Sequence, residues 1–416
     1  MKFRSIKGMR DILPDEAARW RAVENVVHQV MQAFNYREIR TPVMEQTELF
    51  ARSIGELTDI VSKEMYTFTD RSGDSVTLKP EGTASALRAY IQGNLGEQGS
   101  LTKLYYMGPM FRQERPQAGR LRQFHQFGAE ALGAMAPELD VEMMLIPLTI
   151  YRNLRISQTS LLINSVGCQR CRPPYKELLR RELRKVRAHL SDDSQARIEQ
   201  NPFRVLDSKD GGDRKATASM PLMKDHLCAE CSAHFARVQE LLKKLNVPFE
   251  IDGRLVRGLD YYTKTAFEIT SKDLGSQDAL AGGGRYDLLV EELGGKPTPG
   301  VGFAAGMERL MIVMEKRDTT VPGPSGPKIF LIGLDGPSRT WAFETACALR
   351  ARGIPAETDY LERSVKAQLR EANRQHAEFV LVIGEEELKT GTGKVKEMKT
   401  GRENTVSLKT FAQTFS

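Results

Sequence analysis

The stretch from Phe111 to Glu130, FRQERPQAGRLRQFHQFGAE, concentrates side chains that can bind an anion. It has no lysine or aspartate, and its four arginines are Arg112, Arg115, Arg120 and Arg122. A guanidinium group is planar, holds a phosphate through two parallel hydrogen bonds and stacks on flat rings. The density of arginine therefore favours a nucleotide site. For any single arginine, a solvated hairpin with scattered charges is the simpler explanation.

Polar partners for these arginines lie in the same stretch. Glu114, Gln126 and Glu130 flank them on segments that the pattern predicts to be strands, and Gly119 would let the tip of the hairpin turn. The stretch therefore predicts a site built on two strands and their connection.

Glu81 stands at a predicted helix start in TLKPEGTASALRAY, after a proline and before a helical pattern that begins near Thr83. A carboxylate at this place could accept hydrogen bonds from a substrate ammonium group. Acidic and hydroxyl residues are also favoured in the first turn of a helix, where they cap free backbone N–H groups. On this stretch alone, capping is the better explanation.

Two stretches further along the chain supply more candidates. RGLDYYTKTAFE (Arg257 to Glu268) contains Tyr261 and Tyr262, each with an apolar face and a hydroxyl, and AGGGRYD follows it. Three consecutive glycines allow a backbone to lie close to a ligand, although a glycine-rich hairpin turn explains them equally well. The pattern matches neither a P-loop nor a dinucleotide fingerprint.

The stretch GVGFAAGMERLMIVME, from Gly300 to Glu315, predicts a strand that leads into a helix with Arg309 in its early turns. An arginine there could reach an anionic ligand, while a surface arginine is the more common case. The stretch adds one candidate cation to those that follow Phe111.

Four of the five cysteines form two C-x2-C pairs with 56 residues between them, and they are Cys168, Cys171, Cys228 and Cys231. Four thiolates in two such pairs can bind Zn²⁺ tetrahedrally, and we expect such a metal to be structural rather than catalytic. The gap is far longer than the roughly 15 to 20 residues of a compact zinc ribbon, so a helical segment must bring the pairs together. The alternatives are four reduced thiols without a metal, or a site in which His226 or His234 is a ligand.

The composition is typical of a globular protein. The chain has 416 residues, of which 40% are hydrophobic and 27% charged, and its net charge of +6 permits a polyanionic partner without requiring one. No stretch reaches the roughly 18 apolar residues of a membrane span. The charged start, MKFRSIKGMRD, lacks the apolar core of a signal peptide, and an odd number of cysteines argues against a secreted disulfide framework. We therefore expect an untargeted cytoplasmic protein with no membrane association.

The elements that must position these residues mix strands and helices. The patterns predict a helix from Asp15 to Phe34 and a long hairpin from Leu101 to about Gly133, and hairpins with glycine-broken strands favour an α+β fold with a mainly antiparallel sheet. A proline- and glycine-rich linker is predicted at residues 321–327. Beyond it, KIFLIGL and FVLVIG predict buried strands, with a helix around Val365 between them, so residues 328–416 form a small α/β domain.

The part before the linker divides further. Residues 1–167 and 246–320 are predicted to form one domain in two parts. Residues 168–245, called the insertion below, are highly charged and mostly helical in pattern, as an inserted subdomain would be.

Taken in order, these stretches resemble the histidyl-tRNA synthetases, which are class II aminoacyl-tRNA synthetases. RTPVME, FRQERPQAGRLRQFHQFGAE and GVGFAAGMERL are similar to the three class motifs, and RGLDYYTKTAFE and GGGRYD to two stretches peculiar to the histidine enzymes. KGMRDILP near the start and the small α/β tail extend the resemblance over essentially the whole chain. It implies a catalytic domain with a class II antiparallel sheet flanked by helices, a helical insertion and a C-terminal anticodon-binding domain.

The resemblance implies that the chain activates histidine with ATP and then transfers it to tRNA. Arg112 would hold the α-phosphate, Arg120 would lie nearer the terminal phosphates, and Arg309 would clamp ATP from the other side, with Glu114 also at the nucleotide. Arg257 would stabilise charge as the histidine carboxylate attacks phosphorus, so the catalytic residues would be Arg257 and Arg112. Mg²⁺ would help to carry the pyrophosphate.

The resemblance also implies a set of histidine-binding residues. Glu81 and Thr83 would receive the amino group. The carboxylate and imidazole would be surrounded by the others, which are Gln126, Glu130, Arg257, Tyr261 and Tyr262.

The partners implied by the resemblance are histidine tRNA and a second copy of the chain. The first class motif would lie at the contact of a homodimer. The tail would read the anticodon region, and its lysines could meet the phosphate backbone; these are Lys389, Lys394, Lys396 and Lys399. For any one of them a solvated lysine-rich hairpin is at least as good an explanation.

Two other function classes are alternatives to this interpretation. A non-catalytic paralogue similar to the regulatory subunit of ATP phosphoribosyltransferase would sense histidine, and a plain RNA-binding module would bind without catalysis. Such paralogues usually lack the C-terminal domain and several catalytic residues, whereas Arg112, Arg257, Arg309 and the tail are present here. We therefore expect a working enzyme.

Overall fold

The computed structural model describes residues 3–55, 58, 60–117, 119–256, 261–275, 278–317, 319 and 326–416. The chain divides into two compact units, a larger one of Met1–Val321 and a smaller one of Pro322–Ser416. The linker predicted at residues 321–327 lies mostly outside the described residues.

The larger unit contains eleven α-helices and eleven strands among its described residues. Its helices are α1 (Pro14–Ala33), α2 (Thr47–Ile54), α3 (Thr83–Gln92), α4 (Pro137–Asn153), α5 (Arg172–Lys185), α6 (Asp192–Gln200), α7 (Phe203–Leu206), α8 (Gly211–Ala216), α9 (Ala229–Lys244), α10 (Leu289–Glu292) and α11 (Met307–Lys316). Its strands are β1 (Arg37–Glu38), β2 (Met44–Gln46), β3 (Tyr66–Thr69), β4 (Ser75–Leu78), β5 (Thr102–Phe111), β6 (Gln123–Leu132), β7 (Thr159–Ser165), β8 (Glu250–Ile251), β9 (Thr263–Ser271), β10 (Ala279–Arg285) and β11 (Gly300–Gly306).

An eight-stranded sheet organises the larger unit. Its strand order is β1-β5-β6-β11-β10-β9-β7-β8, and a three-stranded sheet has the order β2-β4-β3. The six central strands of the large sheet pair in antiparallel fashion, while the edge strands β1 and β8 pair in parallel with their neighbours. The mainly antiparallel α+β fold is therefore confirmed.

The two faces of the sheet differ in polarity because side chains alternate along a strand. Phe127 on β6 and Phe267 on β9 belong to the main hydrophobic core, to which α1, α4 and α9 contribute. Their neighbours Gln126 and Glu268 line a cleft instead. The helices thus cover one face, and the cleft occupies the other.

The glycines of AGGGRYD lie inside β10 and not in a turn. Gly283 pairs with Phe303 of β11 and with Phe267 of β9. A Cβ atom added to Gly283 would lie 2.2 Å from the carbonyl oxygen of Gly302 on the neighbouring strand. The hairpin-turn explanation for these glycines is therefore wrong, because close approach of adjacent backbones requires them.

The insertion has a small hydrophobic core of its own. Helices α5 to α9 lie within it. Its buried core residues are Cys171, Tyr175, Leu179, Leu183, Leu190, Ile198, Phe203, Val205, Leu206, Met220, Met223 and Cys231. The helical character predicted from the charged pattern is confirmed.

The smaller unit is an α/β fold. Its helices are α12 (Gly336–Ala351), α13 (Val365–Arg374), α14 (Glu385–Thr390) and α15 (Phe411–Thr414), and its strands are β12 (Ile329–Gly333), β13 (Ala356–Thr358), β14 (Phe379–Ile383), β15 (Thr392–Glu397) and β16 (Glu403–Ser407). The strand order is β13-β12-β14-β15-β16. Strands β12 and β14 are the two buried strands predicted from KIFLIGL and FVLVIG.

Across the part of the chain that the structure describes, no helix combines the length and the apolar character needed to cross a membrane.

Candidate active site

A cleft of about 390 Å³ lies on the open face of the large sheet. It brings together side chains that are far apart in the sequence. The candidate residues that line it are Glu81, Thr83, Arg112, Glu114, Arg120, Gln126, Tyr261, Tyr262 and Arg309. Glu130 lies directly behind Thr83, while Arg257 lies outside the described residues.

The carboxylate of Glu130 is the centre of a buried hydrogen-bond network. Thr83 Oγ1 donates to Glu130 Oε1 at 2.7 Å, and Tyr106 donates to the same oxygen at 3.2 Å. Tyr286 donates to Glu130 Oε2. Burial raises the pKa of Glu130 to about 8, although the hydroxyl donors act in the opposite direction.

Gly302 on β11 leaves the space that this carboxylate occupies. A Cβ atom at Gly302 would lie 1.8 Å from Glu130 Oε2, closer than any real contact allows. Gly302 pairs with Glu130 across the two strands. The glycine is therefore required by the position of the Glu130 side chain.

Glu81 caps the start of α3. Its carboxylate oxygens accept hydrogen bonds from the backbone N–H of Thr83 at 2.6 Å and of Ala84 at 2.8 Å. Burial raises the pKa of Glu81, and the two N–H donors oppose that shift. The capping explanation is therefore confirmed, and the same carboxylate also lines the cleft.

A second end of the cleft is cationic. Glu114 lies between two guanidinium groups, 3.1 Å from Arg120 and 3.7 Å from Arg112. Arg112 Nε donates to the carbonyl oxygen of Pro80 at 2.9 Å, and its guanidinium carbon lies 5.2 Å from the centre of the Phe124 ring. These contacts fix the plane of the Arg112 fork beside the cleft.

Arg309 reaches the same end from α11. Its Nη1 donates to the carbonyl oxygen of Ala279 at 2.6 Å, and its Nε donates to that of Gly119 at 3.3 Å. Burial lowers the pKa of Arg309, and the nearby Arg120 guanidinium contributes to the shift. Two cations held close together in this way are the electrostatic arrangement expected around an anionic ligand. The explanation of Arg309 as an ordinary surface arginine is therefore wrong.

The other two arginines of FRQERPQAGRLRQFHQFGAE are not among the described residues that line the cleft. Arg115 is exposed, and Arg122 Nε donates to the carbonyl oxygen of Glu114 at 3.3 Å. For Arg115 the explanation of a solvated charge holds.

The four paired cysteines lie close together within the insertion. Their Sγ atoms all lie within 4.8 Å of one another, and we call Cys168, Cys171, Cys228 and Cys231 the cysteine cluster. His234 does not join them, because its Nε2 lies 2.6 Å from the buried Asp140 carboxylate. His226 packs its ring against Tyr175.

Comparisons with known proteins decide the family. A family model described as histidyl-tRNA synthetase matches residues 8–310, and one described as anticodon binding domain matches residues 329–416. The chain belongs to the histidyl-tRNA synthetase family. It is 47% identical to the histidine–tRNA ligase of Caldanaerobacter subterraneus subsp. tengcongensis, with 98% of this chain and 97% of the relative covered. The histidine–tRNA ligase of Natranaerobius thermophilus is 45% identical over 99% of this chain and 98% of its own length.

A solved structure agrees with this assignment to the histidyl-tRNA synthetase family. The apo histidyl-tRNA synthetase of S. aureus superposes with a TM-score of 0.85 and 37% identity, covering 99% of each chain. The family and the class II fold inferred from the sequence are thus confirmed.

Several residues at this site have contacts that the sequence does not indicate. Tyr106 and Tyr286 each donate a hydrogen bond to the carboxylate of Glu130. The Glu308 carboxylate accepts hydrogen bonds from the backbone N–H of His125 at 2.9 and 3.0 Å. The same carboxylate also lies 2.9 Å from Nδ1 of His125. Tyr286 belongs to the stretch GGGRYD, so its position beside the glycines was the available signal. For the pair of His125 and Glu308, nothing in the local sequence indicates the contact.

Proposed function

We propose that the chain activates L-histidine with ATP to form histidyl-adenylate, and then transfers histidine to the 3′ end of its tRNA. The observation that carries the proposal is a single cleft, in a chain of this family, with a cationic end and a buried carboxylate–hydroxyl end. The first end suits a triphosphate, and the second suits a small polar amino acid.

The cationic end would receive ATP. Arg112 binds the α-phosphate and Arg120 the terminal phosphates, while Arg309 approaches from α11 on the other side of the cleft. Two carboxylates of the cleft lining, Glu114 and Glu268, offer the oxygen ligands that fit Mg²⁺. Mg²⁺ would neutralise charge on the pyrophosphate as it leaves.

The other end would receive histidine. Glu81 and Thr83 bind the amino group, and Gln126, Glu130 and Tyr262 surround the imidazole and the carboxylate, with Tyr261 beside them. Oriented, buried polar groups discriminate strongly, because a wrong amino acid leaves them without hydrogen-bond partners.

The chemical step joins the two ends. An oxygen of the histidine carboxylate attacks the α-phosphorus of ATP, and the bond from that phosphorus to the pyrophosphate oxygen breaks. Negative charge that develops on the α-phosphoryl oxygens is stabilised by Arg112, which the protein already holds in place. We propose the same role for Arg257 on the basis of the family resemblance alone.

The proposal includes the domain assignment and the partners. Residues 1–167 and 246–320 form the catalytic domain, residues 168–245 the insertion and residues 328–416 the domain that contacts the anticodon region. The active form is a cytoplasmic homodimer. No residue of the cysteine cluster is among the described residues that line the cleft. We therefore propose that Zn²⁺ bound by this cluster is a structural metal and takes no part in the reaction.

The rival function is a regulatory paralogue that binds histidine without activating it. The match of residues 329–416 to an anticodon-binding model disfavours it, as does the presence of Arg112 and Arg309 at the cationic end. A plain RNA-binding module does not account for the buried network around Glu130.

Aminoacylation tests the proposal directly. Purified chain, ATP, Mg²⁺ and labelled histidine are incubated with unfractionated tRNA, and acid-precipitable label is counted. We expect label on tRNA that depends on ATP. Label that stays free, from a folded protein that still binds histidine, would support the regulatory paralogue instead.

A further inference from the structure

The cysteine cluster has the dimensions of a tetrahedral metal site. The Sγ atom of Cys168 lies 3.5 Å from that of Cys171 and 3.9 Å from that of Cys228, and the Sγ atoms of Cys171 and Cys231 are 3.6 Å apart. In a regular tetrahedron with Zn–S bonds of about 2.3 Å, the sulfur atoms are about 3.8 Å apart. The observed separations therefore bracket the value that zinc requires.

We propose that the cysteine cluster binds one Zn²⁺ through four thiolates, and that this metal fixes the starts of α5 and α9 next to Tyr262. The first statement concerns a structural metal and is independent of the proposed function. The second rests on the proposed function, because it assigns Tyr262 to histidine.

Local backbone structure places each pair at the start of a helix. Cys171 directly precedes α5, and Cys228 directly precedes α9. The backbone N–H of Cys168 also donates to Cys171 Sγ at 3.3 Å. Zn²⁺ bound here would be held by four thiolates, and its binding would release the thiol protons.

Simple apolar packing explains only half of the cluster. Cys171 and Cys231 are 6% and 1% exposed and belong to the core of the insertion. Cys168 and Cys228 are only partly buried, yet their sulfur atoms lie within 4.8 Å of those of the buried pair. A segment of about 70 to 80 residues also seldom has a sufficient core alone, and a metal is a common remedy.

Contacts beside the cysteine cluster connect it to residues next to the cleft. Arg172, which follows Cys171, donates from Nη1 to the carbonyl oxygen of Tyr262 at 2.8 Å. Glu230, which lies between the cysteines of the second pair, forms a 2.9 Å ion pair with the buried Lys264 on β9. Both pairs are thus attached to the chain segment that carries Tyr262 into the cleft.

The middle of α9 is held without any metal. His234 on this helix contacts Asp140, and Asp140 also accepts hydrogen bonds from the buried Arg285 and from Thr265. Loss of the metal would therefore loosen the two pairs and the start of β9 while the body of the helix stays in place. The expected consequence is weaker histidine binding with little change at the ATP end.

Metal content tests the first statement. Protein purified without chelators is analysed by mass spectrometry for zinc, and cobalt replacement is followed by absorption. We expect one zinc per chain and the thiolate-to-cobalt charge-transfer and visible bands of a tetrahedral site. The Cys168→Ser/Cys171→Ser variant should lose both signals, and the Cys347→Ser control, which removes an exposed cysteine of the smaller unit, should keep them. A wild-type chain that binds neither zinc nor cobalt, or that is isolated with these cysteines paired as disulfides, overturns the proposal.

A comparison of Michaelis constants tests the second statement. In histidine-dependent pyrophosphate exchange, we expect Cys168→Ser/Cys171→Ser to raise the KM for histidine about fivefold or more and to leave the KM for ATP within about twofold. Arg172→Ala should also raise the KM for histidine and leave the KM for ATP unchanged, while its zinc content stays at the wild-type level. This variant tests the positioning role even if the cysteine variant misfolds. Equal changes in both constants, or no change in either, contradict the positioning role. Zinc binding without any exchange by the wild type would refute the proposed function and leave the metal site standing.

Discussion

The hydroxyl of Thr83 donates a 2.7 Å hydrogen bond to the carboxylate of Glu130, and this bond joins the first residue of α3 to the middle of the large sheet. The two residues come from different sequence motifs, each of which had a simpler structural explanation by itself. Their contact makes one polar pocket out of a helix start and a strand. The proposed specificity for histidine depends on this pocket.

The first prediction concerns the space beside Glu130. Gly302→Ala should displace the Glu130 carboxylate, because the added Cβ would lie 1.8 Å from Oε2. We expect the KM for histidine in pyrophosphate exchange to rise at least about tenfold, because that is the effect of losing one well-oriented hydrogen-bonding group. The control is Gly108→Ala on β5, where an added Cβ meets nothing within 4 Å. A variant with wild-type KM would show that the Glu130 position is unimportant for histidine.

The second prediction concerns pH. Burial raises the pKa of Glu130 from an ordinary 4.5 to about 8. Between these values the folded chain keeps a proton that the unfolded chain loses, so Glu130 makes the free energy of unfolding fall as pH rises through this window. Glu130→Gln removes the titration.

Urea denaturation at pH 5 and pH 8.5 measures this effect. Relative to the Gln variant, the wild type should lose stability on the order of 4 kcal/mol between the two pH values. Parallel pH profiles for the two proteins would contradict a raised pKa at Glu130.

The third prediction concerns the cationic end. Arg309→Gln should lower kcat/KM for ATP by about 10² to 10³, since a preorganised cation near developing charge contributes that much. Equilibrium binding of histidine alone should not change. Lys316→Gln, at the other end of α11 with its Nζ bonded to the carbonyl oxygen of Asp273, is the matched control and should behave as wild type. An equal loss in both variants would point to a general effect on the helix.

The fourth prediction concerns the smaller unit. Lys394 and Lys396 are exposed on β15, where their charges are available to a phosphate backbone. The double change to Gln should raise the KM for tRNA and reduce the salt dependence of charging by about one to two in the log–log slope. Pyrophosphate exchange, which needs no tRNA, should be unaffected. An unchanged salt dependence would leave these lysines as solvated charges.

Removal of residues 328–416 is the stronger form of the same test. The truncated chain should retain histidine-dependent exchange and lose most tRNA charging. Unchanged charging would exclude a role of the smaller unit in tRNA binding.

The sequence predicts elements whose pattern is local. The strands of the long hairpin, Thr102–Phe111 and Gln123–Leu132, and the helix that starts at Thr83 follow from polar and apolar alternation, turn residues and a proline before the helix. The glycines of β10 could not be assigned this way, because glycine is favoured both in turns and where backbones approach closely.

Contacts around Glu130 are not local. Tyr106 reaches it from β5 because Tyr106 pairs with Gly128 across the hairpin, and Tyr286 arrives from the end of β10. Such contacts depend on strand register and on the order of strands in the sheet, and neither can be deduced from the local pattern of a single sequence. The convergence of the cysteine cluster is similar, because the two pairs are predictable and their meeting across the insertion is not.

Pyrophosphate exchange into ATP, measured with each standard amino acid in turn and without tRNA, tests the central claim most directly. We predict exchange with histidine and not with the other amino acids, because the pocket around Thr83 and Glu130 selects the side chain before any tRNA binds. No exchange with any amino acid, from folded protein supplied with Mg²⁺, would contradict the proposed activation of histidine and favour a regulatory protein that only binds it.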